Sequence, residues 1–237
     1  MSNAIYAALT RQDGLLREMQ VIANNMANSS TTGFKSNHAI FAEHIAAVGD
    51  QSDSLSMGSL AGHNFDLSQG GMKHTGGQFD LAIHGDGFFV LDTPAGERLT
   101  RSGAFQLSAE GNLVDAFGHQ VQGAGGGAIA IPQEVTNISI APDGTISSGE
   151  EILGQVAVVM PDGELNQEGG TMFAAPNGHQ PIEEPSVIQG TLEQSNVSSI
   201  LEVSRLIEVQ RAYEAGQTLI EKEDDRINQL IKTIRQL

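Results

Sequence analysis

The chain has 237 residues, a formal net charge of −17, and neither cysteine nor tryptophan. That length holds one or two modest domains, the missing cysteines exclude a disulfide scaffold, a thiolate zinc site and a cysteine nucleophile, and the acidic balance argues against nucleic acid as a partner. No apolar run reaches the roughly 18 residues that span a bilayer, so no direct membrane insertion is expected, and Met1-Ser2-Asn3-Ala4-Ile5 lacks the start of a cleaved secretory signal.

The first predicted element is a helix from Ala4 to about Ala27, with no proline and one glycine, Gly14. Ile5, Leu9, Leu16, Met19, Ala23 and Met26 follow heptad spacing, broken at Gln12 and widened by Leu15 and Ile22. Such a stripe needs a partner to bury it. Asn24, Asn25, Asn28, the run Ser29 to Thr32, and Gly33 leave helical geometry readily and mark its end. The polar, glycine-rich stretch from Gly49 to Gly77 reads as an extended connector with one or two irregular strands.

From about Gln78 to Gly190 the period changes to two, as in Phe79, Leu81 and Ile83 against Asp80, Ala82 and His84. Turn signals recur at Gly85-Asp86-Gly87, Pro94-Ala95-Gly96, Glu110-Gly111-Asn112, Pro142-Asp143-Gly144 and Pro161-Asp162-Gly163. Short strands between tight turns predict an all-β module. Gly85-Asp86-Gly87 reads as a hairpin turn rather than a phosphate loop, because no helix follows it. The glycine run Gly123 to Gly127 reads as a flexible loop.

A second helix is predicted from Ser199, where Ser199 and Glu202 match a capping box. Leu206, Val209, Tyr213, Ile220, Ile227, Leu230, Ile234 and Leu237 keep heptad spacing to the last residue, with Gly216 and Glu223 as poor members. At 1.5 Å per residue this helix is roughly 55 Å long. The fold class expected is therefore α+β: a central all-β module flanked by N- and C-terminal helices that pair as a coiled coil. The parts are 1–35, a connector at 36–77, the module at 78–190, and a helix at 191–237. The longer stripe leaves apolar surface for another chain.

No catalytic, cofactor or metal site is expected. His38, His44, His63, His74, His84, His119 and His179 are scattered without metal-ligand spacing, no GxSxG elbow is present, and Glu221, Glu223, Asp224 and Asp225 lack the loop spacing of an EF-hand and read as a solvated helix face. Glu223, at a seam position, is a candidate for fixing register or partner.

Three segments together resemble the flagellar basal-body rod and hook family. They are Ile22-Ala23-Asn24-Asn25-Met26-Ala27-Asn28 with Thr32-Gly33-Phe34-Lys35; Phe79 to Val90 with Thr100-Arg101-Ser102-Gly103-Ala104-Phe105 and Gly111-Asn112-Leu113-Val114; and Gly190 to Val197 leading into Ile207 to Glu214. The length fits the longer rod members, which share the β module. The opening Asn3-Ala4-Ile5-Tyr6 looks more like a proximal than a distal member.

The resemblance implies a structural, non-enzymatic subunit that assembles with itself and other rod subunits into a helical axial drive shaft for motility. It also implies export by the flagellar type III apparatus, without a cleaved signal, to the periplasmic space. The assembly seam then comprises Ile5, Leu9, Leu16, Met19, Met26, Leu206, Val209, Tyr213, Ile220, Ile227, Leu230 and Ile234. The signature turn, Asn24, Asn25, Asn28, Thr32, Gly33, Phe34 and Lys35, redirects the chain, with export recognition as the alternative and Asn25 and Asn28 as candidates for hydrogen bonds between subunits. The rivals are a secreted β-rich binding module or enzyme with oligomerising helices, for which 5% aromatic content is poor material, and a free coiled-coil adaptor.

Overall fold

The structure, a computed structural model, describes residues 2–47, 54–132, 134–135 and 137–235, and of these the side chains at 2–7, 41–47, 54–61 and 230 lie outside the description. Two compact units divide the chain: Met1–Ala27 with Asn37–Asp66 and Ser198–Leu237, and Asn28–Ser36 with Leu67–Val197. The fold is α+β, with a helix at each end and a β-rich middle.

The first unit contains helix α1 (Ser2–Ala27), strands β1 (Asn37–Ala47) and β2 (Ser54–Phe65), and helix α2 (Ser199–Arg235). Residues 37–47 and 54–65, which the sequence reads as connector, form the two arms of a long antiparallel hairpin with one irregularity at Ile40/Phe41. The helix α1 packs against both α2 and this hairpin. The helix α2 starts where expected, but the Ser199/Glu202 box does not form. The first helical hydrogen bond runs from Glu202 N to Ser198 O, at 3.0 Å, and the Glu202 side chain turns toward α1.

The second unit is antiparallel throughout its described strands. In chain order these are β3 (Met72–His74), β4 (Leu81–Ile83), β5 (Phe88–Thr93), β6 (Gly96–Thr100), β7 (Gln106–Leu107), β8 (Leu113–Val114), β9 (Gln120–Val121), β10 (Ser139–Ile140), β11 (Thr145–Ser148), β12 (Glu151–Gln155), β13 (Val158–Pro161), β14 (Asn166–Gln167), β15 (Met172–Ala174), β16 (His179–Pro181), β17 (Val187–Gln189) and β18 (Thr191–Glu193). The largest sheet follows the order β14-β15-β6-β5-β9-β8-β7, and β13 joins it through β5 and pairs β16. The strands β10, β11 and β12 form a meander, while β4 pairs β17 and β3 pairs β18.

Strand β5 is the centre of this unit. Phe88, Phe89, Val90 and Leu91 are all buried, because both faces are covered, so its sequence shows a continuous apolar run rather than alternation. Phe89 packs edge-to-face on Phe105, with centroids 5.2 Å apart, within a core that includes Leu81, Leu113, Ile146 and Val156. Every predicted turn holds a glycine at positive φ; at Gly96, φ is 100° and closes the β5–β6 hairpin. Gly85 to Gly87 links β4 to β5, which belong to different sheets, so it is not a hairpin turn. Gly123 to Gly127 is a closed turn, with Gly123 N donating to Gly127 O at 2.8 Å.

Candidate assembly surfaces and a buried charge cluster

In the first unit, α1 and α2 run antiparallel. Asn25 lies beside Glu202, Glu18 beside Arg205, and Gln12 beside Tyr213. At that offset the first turn of α1 comes level with about Glu223, and Arg226 to Arg235 extend past its end. The 26-residue helix is too short to cover the 37-residue one.

The two breaks in the heptads meet each other. Gln12 is buried at 8% exposure and donates through Nε2 to Tyr213 O at 2.9 Å, and it fits because Gly216 opposite has no side chain. A Cβ on Gly216 would stand 2.6 Å from Gln12 Nε2. Gly216→Ala gains about 1 kcal/mol of helix propensity but displaces a hydrogen bond worth about 1 kcal/mol. With Gln12→Ala only the gain remains, so a double-mutant cycle should return a coupling of about 1 kcal/mol. Additive unfolding energies would contradict the contact.

Burial along α1 is rotated from the expected seam. Ile22 is buried, and Leu15, Met19 and Met26 are half-buried, whereas Leu9 and Leu16 are 49% and 42% exposed. On α2, Val209 is buried, and Leu206, Tyr213, Gly216, Ile220, Glu223 and Ile227 are half-buried. Ile234 is 70% exposed. The Ile5 and Leu230 side chains lie outside the described residues. Arg205 ties the pair by donating from Nε and Nη2 to Glu18 Oε1, at 3.1 and 2.9 Å, and its Nη1 meets His38 Nδ1 at 3.0 Å.

Of the signature-turn residues, Asn24 is exposed, Asn28 and Thr32 are half-buried, and Asn25, Gly33, Phe34 and Lys35 are buried. Asn25 is not available to a neighbour. Its carboxamide mimics a strand edge, accepting from Asn37 N at 2.9 Å and donating to Asn37 O at 2.8 Å, and it also reaches Glu202 Oε1 at 3.4 Å. Asn28 closes a local turn, with Thr31 N and Oγ1 donating to its O and Oδ1, both at 3.1 Å.

In the second unit, the strap Asn28–Ser36 carries Lys35 into a dry cluster. Lys35 Nζ donates to Glu193 Oε1 and to Ser68 O, both at 2.6 Å. Arg101 Nη1 donates to Glu193 Oε2 at 3.3 Å and its Nη2 to Gly85 O at 2.8 Å. The Lys35 and Glu193 side chains have no exposure and Arg101 only 2%. Burial pushes the Arg101 guanidinium below its ordinary value, while Glu193 and, less strongly, Asp86 oppose that shift. The Phe88 ring lies 5.2 Å from the guanidinium carbon.

Backbone and amide bonds close the same place. Gly33 N donates to Glu193 O at 2.8 Å, Gly70 N to Glu193 Oε1 at 2.9 Å, and Ser36 N to Asn196 Oδ1 at 2.8 Å. Arg101 and Glu193 lie inside motifs of the sequence but are not among the residues those motifs mark as a site. The available signal is that each is the one charge in a small or apolar stretch, but nothing in one sequence joins Glu193 to residues 92 and 158 positions away. A cleft of about 560 Å³ also opens in this unit, bordered by Asn28, Thr31, Ser102, Phe117, His119 and Met172.

Similarity to known proteins covers these same parts. Residues 5–35 match the family described as "Flagella basal body rod protein", residues 82–148 "Flagellar hook protein FlgE/F/G D1 domain", and residues 188–233 "Flagellar basal body rod FlgEFG protein C-terminal". Lys35, Arg101 and Glu193 fall one in each. The chain is 38% identical to the flagellar basal-body rod protein FlgF of Caulobacter vibrioides, over 91% of both chains. It is 32% identical to that of Mesorhizobium japonicum, over 99% of this chain and 98% of the other. The rod protein FlgG of Bacillus subtilis is 29% identical over 99% of this chain and 100% of its own length.

Proposed function

We propose, for a chain that belongs to the flagellar basal-body rod family and is a structural subunit rather than an enzyme, that its terminal helices pair as a coiled coil and polymerise it into the axial rod. The similarity to FlgF sequences favours a proximal position over the distal position of FlgG. The opening Asn3-Ala4-Ile5-Tyr6 points the same way. The seam serves assembly in two parts. Met19, Met26, Leu206, Val209, Tyr213 and Ile220 hold α1 on α2, while Leu9, Leu16 and the overhang from Ile227 to Ile234 meet neighbouring rod subunits.

The observation that carries this reading is the overhang itself. Ile231 and Ile234 are 48% and 70% exposed on a helix of an acidic chain, which is an association surface. Contacts that join one face to a different face of the next copy do not close and so build a helical filament. Export by the flagellar type III apparatus into the periplasmic space belongs to the same reading.

Ile227→Asp tests it. The substituted chain should be absent from purified basal bodies and its cells non-motile, while the urea transition of the β-rich unit stays at its wild-type midpoint. Normal incorporation and motility would refute the assignment of the overhang.

A further inference from the structure

The overhang carries a pattern that selects one arrangement of neighbours. Leu219-Ile220-Glu221 recurs as Leu230-Ile231-Lys232, and Asp224 recurs as Arg235 at the same spacing. The apolar residues repeat and the charges invert. Residues 221–225 hold Glu221, Glu223, Asp224 and Asp225, with Lys222 the single cation, whereas 226–235 hold Arg226, Lys232 and Arg235 and no carboxylate. Glu221, Asp224, Lys232 and Arg235 are all exposed. Glu223 is engaged by Arg226 at 2.7 Å, and Asp224 accepts from Asn228 Nδ2 at 3.1 Å, which leaves its other oxygen to a partner.

From this we propose that the end of α2 seats on α2 of a second copy, parallel and displaced along the axis by about 11 residues, or roughly 16 Å. The displacement is about three full helical turns, so it preserves the face presented. It sets Lys232 of one copy against Glu221 of the next and Arg235 against Asp224, while Leu230 and Ile231 come level with the exposed Leu219. Parallel copies in register would instead stack the acidic turn on itself and the basic turn on itself, which costs energy at each pair. A displaced contact joins two different surfaces and does not close, as an axial polymer requires. The proposal rests on the reading that the overhang meets a neighbouring copy, and it names the surface that receives it.

The natural absence of cysteine allows a direct test. Glu221→Cys and Lys232→Cys are introduced singly and together in cells holding no other copy, leaving the Asp224 and Arg235 pair intact, and purified basal bodies are oxidised. The double variant should give a ladder of two and more copies, and each single variant should stay monomeric. Dimers from the single variants would mean copies in register. Closed dimers without higher species from the double variant would mean antiparallel pairing. Either result overturns the displacement while leaving the overhang as a contact between copies. A second set uses charge alone: Asp224→Arg should lower incorporation at least tenfold, and Asp224→Arg with Arg235→Asp should restore it. No link between copies from either position, with Ile227→Asp still incorporated, overturns the underlying reading as well. A basic amphipathic end also suits an anionic bilayer. Sedimentation of the purified chain with phosphatidylserine vesicles, abolished by Lys232→Glu and accompanied by no link between copies, would assign the end to a membrane and overturn the proposal.

Discussion

Glu193→Gln should lower the unfolding free energy by about 3–5 kcal/mol, the range for removing one partner of a buried ion pair. The carboxylate sits between Lys35 and Arg101, and all three are dry. Losing it removes the carboxylate that both buried cations share, leaving Arg101 only the weaker influence of Asp86, and Gly70 N loses an ionised acceptor. In a chain of this size the expected fall in melting temperature is roughly 10 °C. Glu168→Gln is the control. Its pair with Arg98 is 51% exposed on the glutamate side, so its loss should cost at most about 1 kcal/mol. Equal effects from the two substitutions, read by urea unfolding, would contradict a buried cluster.

Gly33→Ala should be nearly as damaging, for a steric reason. Gly33 has φ of +69°, and a Cβ there would stand 2.3 Å from Ser102 N and 2.4 Å from Arg101 C, with no side chain able to yield. The left-handed backbone costs roughly 1–2 kcal/mol for alanine, and forcing the strap off the sheet costs about 1–3 kcal/mol more. Gly76 has a similar φ of +73° but open space around its Cβ, so Gly76→Ala should show only the backbone part. Limited proteolysis should cut Asn28–Ser36 in the Gly33 variant and spare it in the Gly76 variant. A Gly33 variant as stable as the Gly76 one would show that the strap does not dock as described.

Much of the fold was legible because its signals are local. The ends of α1 and α2 follow from heptad spacing, the asparagine run after Ala23 and the change of period, and the turns follow from glycines that had to adopt positive φ. What escaped was non-local. The β1–β2 hairpin has the weak composition of a connector and gains its order from α1 and from its own pairing. Leu16 looked like a seam residue, yet the helix turns Leu15 and Ile22 inward, because two faces of α1 are used, one for α2 and one for the hairpin. Gln12 and Gly216 looked like two separate defects until the antiparallel pairing set one into the other. Glu202 matched a cap by spacing, but burial against Asn25 took its side chain elsewhere. The Lys35, Arg101 and Glu193 cluster was the least readable, since each residue alone looks like ordinary polarity in a small-residue stretch.

On the proposed function, copies of this rod-family chain join through their helical ends. A photo-cross-linking residue at position 227, in basal bodies purified from motile cells, tests it most directly, with the same residue at Phe117 on the β-rich unit as the comparison. Position 227 should link to a second rod subunit identifiable by mass spectrometry. Links from position 227 only within its own chain, or only to proteins outside the rod, would contradict it.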